Sequence, residues 1–360
     1  MATQPHTQTA TDTGTILTAD RPVLEVRNLD IGMRRKSAVV KLVDDVSFSV
    51  DLGERYGLVG ESGSGKSMTL RAIAGLLPSG VEVLSGSILY GGRDLLELSA
   101  SSRRALMGPE IAMIFQEPLT ALNPTMQVGD QIAEGPRQHL GLSAKDARKL
   151  AVEMMRRTGI PDPARRAKAF PHELSGGLRQ RIMIALALSC SPKVLLCDEP
   201  TTALDVTVQD QVLTLLADLC DDTGTSLVFV THDLAVVAQT CSRVGVMYSG
   251  RIVEKGAVNE VFPKPHHPYT LGLIESAPDF DRPDRELVSI PGFPPNVANR
   301  GSGCVFAPRC AFAQDDCRVG RLELAELEPD RTVACLHPRN AGEALLSAAA
   351  TNGAIAGRSE

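Results

Sequence analysis

With 360 residues, 43% of them hydrophobic and 22% charged, the chain has the composition of a folded protein with one large domain or two smaller ones. A formal net charge of -6, few aromatics and no tryptophan leave no basic or stacking footprint for nucleic acid. No run approaches the roughly 20 apolar residues that span a bilayer, and the Thr-rich start lacks the parts of a secretory signal. The expectation is a cytoplasmic protein that reaches a membrane only through partners.

Residues 1–20 are small and polar and predict a disordered tail. Short β-rich runs follow, Val23–Leu29, Val46–Val50, Tyr56–Val59 and Gly86–Tyr90, with one helix after Gly65. Between the third run and that helix lies Gly60-Glu61-Ser62-Gly63-Ser64-Gly65-Lys66-Ser67, which fits G-x-x-x-x-G-K-[ST]. Its glycines let successive backbone N–H groups face phosphate oxygens. Lys66 is then placed for the β- and γ-phosphates and the Ser67 hydroxyl for Mg²⁺. The pattern alone arises by accident in about 1 chain in 100 of this size, and the strand and helix flanks make accident rarer.

Residues 95–180 carry helical patterns such as Ser143–Thr158, with Ser143 as the N-cap. Strands and helices then alternate: Lys193–Asp198, Val208–Cys220, Ser226–Thr231, Leu234–Thr240 and Arg243–Met247. That order predicts βαβ units and a parallel sheet covered on both faces. The strand Lys193–Asp198 ends on two acids, Asp198 and Glu199. Strand ends line the nucleotide crevice of such sheets. By itself an acid pair often only caps the next helix; with the phosphate loop upstream it gives Asp198 to Mg²⁺ and Glu199 to the attacking water.

From about Pro263 the pattern breaks into Pro-rich loops, and residues 339–360 predict a disordered Ala/Gly tail. Cys190, Cys197, Cys220 and Cys241 sit in apolar runs as small core residues. Cys304, Cys310, Cys317 and Cys335 crowd into the tail region. Disulfides are not expected in a reducing compartment, and the spacings are wider than the tight pairs of structural zinc. Four thiolates also suit a 4Fe-4S cluster; spacing alone leaves cluster, zinc and free thiols open.

Leu174-Ser-Gly-Gly-Leu-Arg-Gln-Arg181 resembles the signature motif of ABC ATPases. The resemblance implies an α/β P-loop ATPase fold: a mixed or parallel core sheet, an antiparallel β subdomain, a helical subdomain and a loop-rich C-terminal cysteine region. It also implies that Ser175, Gly176 and Gly177, with Gln180 as a further candidate contact, close over ATP held by a second ATPase subunit. By the same resemblance Gln116 is the Q-loop glutamine, Ala203-Leu204-Asp205 the D-loop and His232 the switch histidine. A histidine at a strand end is structural about four times in five; its place in an ordered set of motifs reverses that. Where the family stacks an aromatic residue on adenine, this chain has Met33, whose thioether can still contact a ring.

Met113-Ile-Phe-Gln-Glu-Pro-Leu-Thr-Ala-Leu-Asn-Pro124, Val128-Gly129 and His267-Pro-Tyr-Thr270 are similar to the peptide/nickel importer branch over roughly residues 22–338. This implies an ATPase domain over 21–262, with its helical subdomain near 95–180, and a C-terminal region over 263–338. The implied partners are two permeases, a second, paralogous ATPase and an extracytoplasmic binding protein, with the chain at the cytoplasmic face of the membrane. Some relatives hold a 4Fe-4S cluster on a similar cysteine pattern, which favours the cluster here. Two other classes compete: a soluble ABC ATPase acting on nucleic acid or ribosomes, and a non-hydrolysing regulatory subunit. The first usually carries two cassettes or a coiled-coil insertion, and the second usually loses Glu199 or His232, both present here.

Overall fold

The structure is a computed structural model, and it describes residues 21–35, 38–117, 121–201, 205–277, 289–295, 297 and 300–340. Residues 1–20 and 341–360 of the expected tails, and Ala203 and Leu204 of the D-loop, lie outside them, whereas Arg339 and Asn340, expected in the disordered tail, hydrogen-bond to His266 and Pro265.

Two sheets carry the fold. In the smaller one β1 (Leu24–Arg35) pairs antiparallel with both β2 (Ala38–Val50) and β4 (Glu82–Tyr90), and the short β5 (Arg93–Asp94) completes the edge. Both β1 and β2 outrun their predicted spans. Register shifts between Val26 and Gly32, with Asn28 at φ 45°, break the apolar alternation on which the shorter reading rested.

The larger sheet is built on β3 (Arg55–Val59), β6 (Ile111–Ile114), β7 (Val194–Asp198), β8 (Ser226–Thr231) and β9 (Arg243–Tyr248), all parallel. Strands β10 (Arg251–Ala257), β12 (Arg331–Val333) and β11 (Ala325–Glu328) extend it antiparallel, in the order β11-β12-β10-β9-β3-β8-β7-β6. Every residue of β7 and β8 is buried, as their continuous apolar runs require of strands covered on both faces.

Helix α1 (Lys66–Ala74) follows β3, and α2 (Ala100–Leu106) precedes β6. Next come α3 (Val128–His139), α4 (Ala144–Arg157), α5 (Pro163–Arg166) and α6 (Gly176–Leu188). Ser143 caps α4 as predicted, its hydroxyl accepting the Asp146 N–H. Helices α7 (Val206–Thr223) and α8 (Leu234–Thr240) cover the main sheet. Among the described residues no helix is long and apolar enough to cross a membrane.

The C-terminal region is more ordered than its prolines suggest. A short helix, α9 (Val258–Val261), leads to α10 (Pro268–Ser276), where Pro268 takes the first helical position. His267 caps α10, its Nδ1 accepting the Tyr269 N–H; burial pushes its imidazole down to about 3, so it stays neutral and free to accept. Arg331 and Glu254, both fully buried, pair at 2.9 Å and tie β12 to β10. Arg300 and Arg321 reach back to Asp44 of β2, where Arg251 and Lys41 also converge. Burial pushes the Asp44 carboxyl up, but these cations outweigh it and hold the group far below the usual carboxylate range.

Candidate active site

The phosphate loop leaves β3 at Gly60, where an added Cβ would collide with the Met247 carbonyl oxygen. Gly65, at φ 104°, caps α1 without a side-chain acceptor, and the first turn holds no acidic residue. The N–H groups opening α1 therefore lack a side-chain partner and are free for an anion. Lys66 folds back onto the loop, donating to the carbonyls of Gly60 at 2.7 Å and Glu61 at 2.9 Å, with Ser64 Oγ at 3.2 Å. Burial pulls its ammonium down to about 8, against the opposing pull of Glu199, Asp198 and Glu61.

Ser67 Oγ donates to Asp198 Oδ1 at 2.6 Å, so the P-loop hydroxyl and the end of β7 meet directly. Burial raises the Asp198 carboxyl above its ordinary value, with Ser67 opposing. Glu199 sits at φ 47°, a strained position for a residue with a side chain, and its N–H donates to the Val230 carbonyl at 2.9 Å. Gln116 Nε2 donates to Glu199 Oε2 at 3.2 Å, and His232 Nδ1 lies 3.3 Å from Glu199 Oε1. Thus Lys66, Ser67, Gln116, Asp198, Glu199 and His232 converge from the carboxyl ends of four neighbouring strands, β3, β6, β7 and β8. An oxygen-rich pocket edged by a lysine and a helix N-terminus suits a Mg²⁺–triphosphate, with a carboxylate set to orient water.

Other predicted residues lie elsewhere. Ser175 caps α6, its Oγ accepting the Leu178 N–H at 3.4 Å, and Ser175 and Gly176 are exposed with Gly177 half-buried. Gln180 points inward at 1% exposure, its Nε2 without a partner among the described residues. Asp205 caps α7 by accepting the Val208 N–H at 3.0 Å. Met33, half-buried, pairs with Val40 on the β1–β2 hairpin, and β2 passes Gly65 at Leu42 and Val43.

Two residues from the C-terminal region also hold the loop, Tyr269 of the His267–Thr270 segment and Arg309, and nothing in the sequence pairs either of them with Glu61. Tyr269 Oη accepts the Glu61 N–H at 2.8 Å across 208 positions of chain. Arg309 grips the Glu61 carboxylate with two nitrogens at 2.6 and 3.0 Å across 248 positions, and donates to Tyr248 Oη at 3.3 Å. A groove of about 770 Å³ also opens beside the site, lined by Leu76, Leu98, Met107, Phe115, His139 and Leu186. Phe115, one residue before Gln116, is 40% exposed there.

Cys304, Cys310, Cys317 and Cys335 line one small pocket with Phe306 and Phe312. Burial pushes the Cys304 and Cys310 thiols up, and that of Cys335 to about 12. Four thiols from separate loops on one enclosed point form a donor set for a soft metal centre. A nearby set, Asp316, Cys317 and His337, brings one ligand atom each within 4.8 Å.

The ABC transporter family profile matches residues 43–202, and that of the oligopeptide/dipeptide transporter C-terminal region matches residues 253–317. Among solved structures, the chain is similar to the ATP-binding cassette MJ0796 in a dimeric post-hydrolysis state bound to ADP and Pi. That likeness has 25% identity and a TM-score of 0.59 over 65% of this chain and 98% of the other. It is also similar to cbiO1 from Clostridium perfringens, part of the transporter complex cbiONQ, at 28% identity and a TM-score of 0.58 over 67% and 91%. The fold is that of an ABC ATPase cassette.

Two curated relatives narrow the class. The "Probable peptide ABC transporter ATP-binding protein y4tR" of Sinorhizobium fredii is 48% identical over 315 residues, 87% of this chain and 94% of the relative. BMEII0863 of Brucella melitensis, provisionally named a peptide import ATP-binding protein, is 46% identical over 328 residues, 88% and 97%. The chain belongs to the family of peptide ABC transporter ATP-binding proteins.

Proposed function

We propose that this chain hydrolyses ATP to drive the import of short peptides through an ABC transporter. The carrying observation is the convergence of Lys66, Ser67, Gln116, Asp198, Glu199 and His232 at the ends of four adjacent strands. Residues 60–67 cradle the triphosphate, with Lys66 swinging from its carbonyl partners to the β- and γ-phosphates. Ser67 and Asp198, with Gln116, hold Mg²⁺, which when bound neutralises phosphate charge. Glu199 takes the proton of the attacking water, while His232 and Gln116 fix its carboxylate. Exposed Ser175 and Gly176, with Gly177 and Asp205, serve the partner's ATP across a head-to-tail dimer, Gln180 lies too deep in the helix to reach it, and Met33 contacts adenine.

The ATPase domain occupies 21–262, with its helical part near 95–180, and 263–338 form the importer-specific region. The partners are two permeases, a paralogous second ATPase and an extracytoplasmic binding protein. The groove at Phe115 takes a permease helix, so movement at Gln116 passes to the membrane from the cytoplasmic face. The cysteine pocket holds a structural 4Fe-4S cluster on Cys304, Cys310, Cys317 and Cys335, a reading supported by the four thiols lining one pocket and by the family resemblance. Iron and acid-labile sulfide in anaerobically purified protein test this, and zinc in their place would return the site to that metal.

The decisive test of the whole is Glu199→Gln in the assembled complex. ATP binding persists while steady-state hydrolysis falls by at least about a hundredfold, the usual scale for loss of a positioned general base. Wild-type turnover in that variant would remove Glu199 from the role of base.

A further inference from the structure

The P-loop of this chain is held from outside the ATPase motifs. Glu61, its second residue, is fixed at both its backbone and its side chain by the C-terminal region. The Glu61 N–H donates to Tyr269 Oη at 2.8 Å, and its carboxylate takes both terminal nitrogens of Arg309 at 2.6 and 3.0 Å. Arg309 is itself locked. Its Nε donates to the Pro291 carbonyl at 2.8 Å, its guanidinium lies 5.8 Å from the Tyr248 ring centre, and its side chain is 5% exposed. Tyr248, Tyr269 and Phe306 pack ring against ring beneath it, with centroids 4.6 to 5.3 Å apart.

The chemistry of this contact concerns ATP. Glu61 belongs to the loop that must wrap the triphosphate, and its carbonyl accepts from Lys66 Nζ at 2.9 Å, so a charge on its side chain stands beside the anion's site. Unpaired, it would repel that anion and release the loop's first turn. Paired fork-to-fork with an arginine, it is neutralised and drawn toward the C-terminal region.

We infer that Arg309 and Tyr269 are positioning residues of the ATP site, Arg309 by neutralising Glu61 and Tyr269 by pinning the loop's first peptide. The inference rests on Gly60–Ser67 being the triphosphate site. It assigns part of the importer-specific region to nucleotide binding, so a cassette stripped of that region loses ATP affinity.

The test uses the full chain in its assembled complex, with KM for ATP, kcat and binding of mant-ATP as readouts. Arg309→Gln should raise KM and weaken mant-ATP binding roughly tenfold, within the range typical of coupled sites, and leave kcat within about threefold. Arg309→Lys, which keeps the charge but loses the fork, should fall between wild type and Arg309→Gln. The deciding variant is Glu61→Gln placed on Arg309→Gln: removing the stranded carboxylate should recover most of the lost affinity. A double variant as weak as Arg309→Gln or weaker overturns the neutralising role. If Arg309→Gln does not assemble, Tyr269→Phe decides alone, with a KM rise of about threefold for one lost hydrogen bond; an unchanged KM sinks the inference. Lys66→Ala separates the premise from the inference. Undiminished mant-ATP binding in Lys66→Ala defeats the reading of the phosphate site. Binding lost there but unchanged in Arg309→Gln defeats only the role of Arg309.

Discussion

At the scale of single residues, two side chains in the candidate site are held in unusual states. Glu199 adopts a left-handed backbone that costs about 1–3 kcal/mol, and it is kept there by the Val230 carbonyl on one side and by Gln116 and His232 on the other. The strain aims its carboxylate across the strand ends rather than along the chain. Lys66, brought down to about 8 by burial, is charged at neutral pH with little to spare. A lysine whose folded value is lowered binds its proton below about 8 and gives it up above. ATP binding should therefore be flat from pH 6 to 7.5 and weaken above about pH 8, approaching tenfold per unit for one linked proton. Mant-ATP titrations across that range check the slope; affinity that stays constant to pH 9.5 would mean that Lys66 is not the titrating group.

At the scale of elements, Asp44 joins the smaller sheet to the C-terminal region. It is 4% exposed and faces Arg251, Arg300, Arg321 and Lys41. Removing its charge strands the partly buried Arg251 and Arg300, so Asp44→Asn should cost about 2 kcal/mol in urea denaturation. A depressed carboxyl contributes stability that is complete above the unfolded value near 4 and fades as pH falls below it. The wild type should therefore lose stability more steeply than Asp44→Asn below about pH 4. This link was invisible in sequence, since an Asp in a β run reads as a solvated residue. The same holds for β11 and β12: short, polar strands become strands only by pairing with β10 and with each other.

At the scale of the whole molecule, the exposed apolar groove has no partner among the described residues. Phe115 at 40% exposure and Leu186 at 38% stand open in it, beside the glutamine that touches Glu199. Large apolar residues gathered in one groove mark an interaction surface. Leu186→Asp should leave mant-ATP binding within about twofold while weakening co-purification with the permeases by about 2 kcal/mol or more, the loss expected of an interface hot spot. Unchanged recovery of permeases would place the docking surface elsewhere.

The phosphate loop, the acid pair and the signature segment were legible because each is a short contiguous run whose chemistry depends on neighbours in the chain. Buried strands β7 and β8 were legible for the same reason, since burial on both faces writes a continuous apolar run. Tertiary structure alone decided which of those runs meet. It set Ser67 against Asp198 across 131 positions and aimed Glu199 between Gln116 and His232. It also brought Arg309 and Tyr269 onto Glu61 across more than 200. Pairings of that kind leave no periodicity and no motif, because their geometry is set by how the sheets and the C-terminal region pack.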